Sequence, residues 1–172
     1  MKPARLRTLI LALAWTALAW RLPGTAAAQQ AWTGVVSHVV DGDTIYVREN
    51  GRGRARSVRI SGIDAPEICQ DGGVASRLAL QTQVLHREVT LLTWRQDDFG
   101  RDLASVQLGG EDMGLWMVTQ GHAWSYRYRH DPGPYEAQQE AARSAGRGLF
   151  ARAQAESPRD FRRRHGSCQT PP

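Results

Sequence analysis

A small β-barrel of five strands with about three helices, mainly β with α+β character, is the fold this sequence predicts. Three observations carry it. Short Val-rich or alternating segments are separated by Gly and Asp turns; one helical segment falls between the third and fourth of them; further helical segments follow the fifth. At 172 residues the chain has the length of one ordinary domain. Its 6 Trp, 4 Tyr and 3 Phe, with 41% hydrophobic residues, exclude a wholly disordered chain.

The first 28 residues stand apart. Lys2, Arg5 and Arg7 form a positive start, residues 9–20 are an apolar run broken only by Thr16, and Ala26-Ala27-Ala28 offers a small-residue cleavage site. That is the pattern of a signal peptide, and the run is short of the ~20 residues of a bilayer span. The expected mature chain starts near Gln29, has no membrane span, and is secreted or periplasmic. Four of the 22 basic residues lie in this segment, leaving 18, all Arg, against 17 acids. Bulk charge therefore does not argue for nucleic-acid binding, and placement must.

Residues 32–40 read as a strand, Asp41-Gly42-Asp43 as a turn, and residues 44–47 as an alternating second strand. A second turn at residues 49–53 leads into strand character over residues 56–63, so a three-stranded meander is expected. Gly72-Gly73 opens a helix to about His86, with Val74, Leu78, Leu80, Val84 and Leu85 on one face. Residues 89–94 and 103–108 read as strands around a turn at residues 96–100. A short helix carrying Leu115, Trp116 and Val118 is stopped at Gly121. Residues 135–147 have helix-favouring composition after the Pro132-Gly133-Pro134 break. This order fits an OB-type barrel over residues 29–150. From residue 151 to 172 the composition turns to Arg, Pro, Ser and Gln and reads as a tail, whose cluster of Arg159, Arg162, Arg163 and Arg164 is either an electrostatic tether for nucleic acid or, the preferred reading, simply solvated. The two cysteines, Cys69 and Cys168, are either one disulfide tying that tail to the middle of the domain or two free thiols.

Acids and arginines concentrate at the strand ends. Asp43, Asp64 and Glu67 offer hard carboxylate oxygens of the kind Ca²⁺ or Mg²⁺ binds, and no His/Cys set has zinc spacing. Arg59 and Arg101 add two guanidiniums. A metal, a carboxylate base and two arginines suit phosphodiester hydrolysis. Each piece alone is ordinary, since an Asp-Gly-Asp turn is usually only a turn. Their order along one barrel pattern is what gives them joint meaning.

Val40-Asp41-Gly42-Asp43-Thr44, Arg59 with Asp64-Ala65-Pro66-Glu67, and Phe99-Gly100-Arg101 with Leu103-Ala104 resemble the three signature segments of the staphylococcal-nuclease family. The resemblance runs from about residue 32 to residue 150. It implies an OB-type barrel with three helices and a Ca²⁺-dependent nuclease of DNA and RNA that leaves 3′-phosphates. It assigns Asp43, Asp64 and the backbone carbonyl of Ala65 to the metal, with Asp41 supporting them. Glu67 becomes the general base, Arg59 and Arg101 the phosphate ligands, and Tyr126 and Tyr128 the lining of the nucleotide pocket. The chain departs from the family at Asp98, where a basic residue is usual, and at Phe99, where a tyrosine is usual. The loop over residues 68–73 is also shorter. The expected partner is a nucleic-acid substrate and the expected state a monomer. A non-catalytic nucleic-acid-binding module on the same barrel is the alternative; retention of all five ionic residues counts against it.

Overall fold

A computed structural model describes residues 29–168 apart from Arg127 and Ala153. The leader expected over residues 1–28 lies outside the described residues. Strands β1 (Gln30–Val39), β2 (Thr44–Glu49) and β3 (Arg56–Ile60) form the expected antiparallel meander. β4 (Ile63–Asp64) follows, then helix α1 (Gly73–Val84), β5 (Glu88–Gln96) and β6 (Asp102–Leu108). The order β3-β2-β1-β5-β6 is closed by a parallel pairing of β3 with β6, which makes a five-stranded barrel. A short β7 (Glu111–Asp112) extends β6, and α2 (Met113–Thr119) packs behind it. β8 (Trp124–Ser125) pairs with β4; α3 (Glu136–Ser144), a 3₁₀ turn (Gly148–Ala151) and α4 (Pro158–His165) are the last elements among the described residues.

Alternation builds the core. Ile45 and Val47 on β2, Val58 and Ile60 on β3, and Ala104 and Val106 on β6 face inward and are buried. Two irregularities curve the sheet enough to close. The β1–β2 register shifts between Val36 and His38, so Val36 and Val39, three apart, both reach the core. The β5–β6 register shifts between Thr93 and Arg95. One extra residue on a strand increases local twist and bend, as closure requires. An ion pair staples the closing seam: Arg56 on β3 donates from Nε to Asp102 on β6 at 2.8 Å, and its guanidinium lies 4.1 Å from the Trp32 ring.

Three expectations change. Residues 56–63 are not one strand: the chain turns at Ser61-Gly62, where Gly62 has φ 80°, and restarts as β4, which leaves the barrel sheet and pairs with β8 instead. The buried face of α1 is Gly73, Ser76, Leu80 and Val84, while Val74 and Leu78 are exposed. The start of α1 packs so closely on the loops before it that only small residues fit there. The solvated tail is replaced by a capped helix. In α4 the Ser157 hydroxyl accepts from the Asp160 N–H, Pro158 occupies the first turn, and Gly166 at φ 75° ends it.

Two glycines set the spacing of the loops that matter. A Cβ on Gly42 would meet Ser76 Oγ and the Ala65 Cβ, the latter at 2.7 Å; on Gly73 it would overlap the Glu67 carbonyl. Gly73→Ala is expected to lower stability by about 1–3 kcal/mol, because overpacking forces backbone shifts. It should also lower activity by displacing the Glu67 loop. Denaturant midpoint and turnover measured on the same preparation check both effects, and an unchanged midpoint would contradict the packing.

Candidate active site

The site forms at one end of the barrel, where β1 turns into β2 and where β3 breaks into β4. The Asp41-Gly42-Asp43 turn is held by its own backbone. Val40 N–H donates to the Thr44 carbonyl at 2.9 Å, Asp43 N–H to Asp41 Oδ1 at 3.0 Å, and Ile60 N–H to the Asp43 carbonyl at 2.8 Å. Asp43, only 2% exposed, is therefore fixed in direction. Its Oδ1 accepts from the Thr44 hydroxyl at 2.9 Å and from Arg59 Nη1 at 2.7 Å; its Oδ2 accepts from the Ala65 N–H at 2.9 Å.

Arg59 pairs with Thr44 across β2–β3, which puts its guanidinium beside the turn. Its second nitrogen donates to Asp64 Oδ1 at 3.1 Å, so one guanidinium bridges the two buried aspartates. Burial works against its charge, but Asp43 and Asp64 outweigh it and hold Arg59 protonated far above neutral pH. Burial, then the adjacent Asp43 charge, pushes the Asp41 carboxyl up to about 7. Burial also raises the Asp64 carboxyl, against the pull of Arg162 and Arg59. Glu67 lies three residues beyond Asp64 on the loop into α1. Its N–H donates to Gln70 Oε1 at 3.2 Å, and the Gln70 N–H returns to its carbonyl at 2.8 Å.

Arg101 sits on the β5–β6 turn, two residues before Leu103, the β6 partner of Arg59. Asp97 holds it there: Asp97 Oδ1 accepts from the Arg101 N–H at 2.9 Å and Oδ2 from Arg101 Nε at 2.8 Å. It makes no ion pair with Asp43, Asp64 or Glu67; Phe99, 85% exposed, covers its outer side at 5.4 Å. Tyr126 and Tyr128 are exposed and line a cleft of about 780 Å³ together with Asp64 and residues of α4. Cys69 and Cys168 are bonded, with Cα atoms 5.9 Å apart, two residues beyond Glu67.

Sequence reasoning gave no role to Thr44 and Asp97, which orient Asp43 and Arg101, and read the cluster holding Arg162 as solvated, whereas Arg162 of α4 reaches Asp64 and Glu67. The Ser157-Pro158 and Gly166 signals could have located α4, and the Cys69–Cys168 bridge could have located its docking point.

A divalent cation fits this donor set. Its donors are carboxylate and carbonyl oxygens only, and its two buried aspartates share a single bridging guanidinium, that of Arg59. Burial first, and then the neighbouring Asp43 charge, raise the Asp41 and Asp64 carboxyls, and a bound cation would offset both effects. Among the described residues no group of three or more His, Cys, Asp or Glu side chains is placed to hold a metal ion. Asp43, Asp64 and the Ala65 carbonyl would therefore be the protein's whole contribution to one.

A closed OB-type barrel here carries buried acids and guanidiniums at one mouth, groups of the kind that handle phosphate esters. Comparison with known proteins is specific. Residues 57–152 match the family model described as staphylococcal nuclease homologue. An uncharacterized endonuclease of Haemophilus influenzae is 37% identical over 129 residues, covering 74% of this chain and 71% of that protein. An uncharacterized endonuclease of Escherichia coli O157:H7 is 37% identical over 133 residues, covering 76% and 85%. A micrococcal nuclease of Shigella flexneri is 34% identical over 148 residues, covering 77% and 83%. The chain belongs to the staphylococcal nuclease family, and it is a nuclease, a hydrolase of phosphodiester bonds.

Proposed function

We propose that the chain is an exported, Ca²⁺-dependent endonuclease that cuts DNA and RNA and leaves 3′-phosphates. The observation that carries it is the convergence of Asp43, Arg59, Asp64 and Glu67 on one barrel mouth, each oriented by named hydrogen bonds. Ca²⁺ held there would polarise a phosphoryl oxygen and offset charge in the transition state. Glu67 takes a proton from the attacking water as the new O–P bond forms. The P–O5′ bond breaks, and the departing oxygen takes a proton from solvent water to become a 5′-hydroxyl. Arg59 and Arg101 bind the phosphate oxygens on which negative charge grows. Tyr126 and Tyr128 offer faces on which bases stack without base-edge reading, so little sequence preference is expected.

Export is supported by the charged, apolar and small-residue pattern of residues 1–28 and by a cystine, which persists in oxidising compartments. No helix among the described residues is long and apolar enough to cross a membrane.

Product termini test the chemistry. Oligonucleotide fragments should carry 3′-phosphates and accept label at the 5′ end without prior dephosphorylation; 3′-hydroxyl products would overturn the proposed geometry of attack. Arg101→Lys should lower kcat/KM by about 10²-fold, because a point charge cannot make the planar two-donor contact. A change under about threefold in steady-state assays would remove Arg101 from that role.

A further inference from the structure

The end of the chain returns to the site. From α4, Arg162 donates from Nη1 to Asp64 Oδ1 at 3.1 Å and to Glu67 Oε1 at 3.0 Å, and from Nη2 to Asp64 Oδ2 at 2.9 Å. One guanidinium thus spans the carboxylate assigned to the metal and the carboxylate assigned to the water. Several ties place it there. Cys168 is bonded to Cys69, Gln70 Nε2 donates to the Glu156 carbonyl at 2.8 Å, and Arg152 pairs with Asp71. These contacts grip the segment on both sides of α4, on the same loop that carries Glu67.

We propose that Arg162 is a third functional arginine of this nuclease: it serves as counter-cation to Asp64 and Glu67 until a divalent cation binds, and then passes to a substrate phosphate. The proposal rests on the nuclease reading above. Asp64 is 5% exposed, and both of its oxygens accept from Arg162 while Oδ1 also accepts from Arg59. A hard cation needs those same lone pairs, so ion and guanidinium compete for Asp64. The displaced guanidinium has an anion within reach. Arg162 lines the 780 Å³ cleft with Arg159, Arg163, Tyr126 and Tyr128, where a nucleic-acid strand would lie. The planar fork of Arg matches phosphate as well as it matches carboxylate. By linkage, substrate that takes Arg162 away from Asp64 tightens the ion, and the ion tightens substrate to the same degree.

The test is calorimetric titration of the disulfide-bonded protein with Ca²⁺ in the absence of nucleic acid, followed by steady-state hydrolysis of a single-stranded oligonucleotide at saturating Ca²⁺. Arg162→Gln should bind Ca²⁺ at least about fivefold tighter and show a KM raised about tenfold, the size of one charge-assisted contact. Reduction of the cystine in the unmutated protein should also tighten Ca²⁺ binding, by loosening α4; this arm does not depend on the variant folding. Equal or weaker Ca²⁺ binding after either change overturns the proposal, as does an unchanged KM. If the unmutated protein binds Ca²⁺ and cuts while these values stay fixed, only the role of Arg162 falls. If it neither binds Ca²⁺ nor cuts, the nuclease reading falls with it.

Discussion

Glu67→Gln is expected to lower turnover by about two to four orders of magnitude while leaving the fold intact. Gln matches Glu in shape, and its amide oxygen can still accept from Arg162 Nη1, as Glu67 Oε1 does at 3.0 Å. The loop geometry is set by the backbone and by Gln70, so the substitution does not move it. What disappears is the capacity to take a proton from water. The loss should therefore fall on kcat, with KM and thermal midpoint nearly unchanged. Single-turnover rates at saturating Ca²⁺ read it directly, and a rate within about tenfold of the unmutated protein would remove Glu67 from the role of base.

Arg59→Lys should be nearly as severe and should differ in kind. The Arg59 side chain, 18% exposed, bridges Asp43 and Asp64 at 2.7 and 3.1 Å. A single ammonium cannot span both, so one buried carboxylate is left poorly paired. That costs about 1–3 kcal/mol of stability in the presence of a chelator. Activity should fall by about 10²–10³-fold, because a donor to the phosphate is lost as well. Ca²⁺ should restore part of the stability, since an ion bound only by the folded protein stabilises it and neutralises the same carboxylates. Denaturant midpoints with and without Ca²⁺ separate the two effects. Equal midpoints for Arg59→Lys and the unmutated protein in chelator would show that the bridge contributes nothing to stability.

Much of this arrangement was legible in the sequence, for physical reasons. The barrel strands are short alternating runs cut by Gly, Asn and Asp turns, and half-burial on a curved sheet writes that alternation directly. The Asp41-Gly42-Asp43 turn and the run from Asp64 to Glu67 were visible because chemistry places acids where a plain barrel would not need them. The division between β3 and β4 was hidden. Ile60 and Ile63 both look like strand residues, and only the positive φ of Gly62 separates them.

The start of α1 misled for a different reason. Apolar periodicity favoured Val74 and Leu78, yet the contact face needs Gly73 and Ser76, because the Glu67 carbonyl presses against Gly73 and Gly42 against Ser76. Close approach selected small residues over apolar ones. α4 was hidden because it buries almost nothing apolar; of its residues only Pro158 is buried. Charge and a cystine dock it, through Arg162 on Asp64 and Glu67 and through Cys168 on Cys69. Hydrophobic periodicity carries no record of a helix held that way, whereas its capping residues do.

The central claim is that this barrel mouth cuts nucleic acid with the help of a divalent ion and Glu67. Closed circular DNA incubated with the purified protein tests it most directly, in parallel with Ca²⁺, with Mg²⁺ and with a chelator, and with Glu67→Gln as control. Nicking and then fragmentation in Ca²⁺, abolished by chelator and by the substitution, is the expected result. Circular DNA that is bound but stays intact in Ca²⁺ would contradict the claim and favour a binding module on the same barrel.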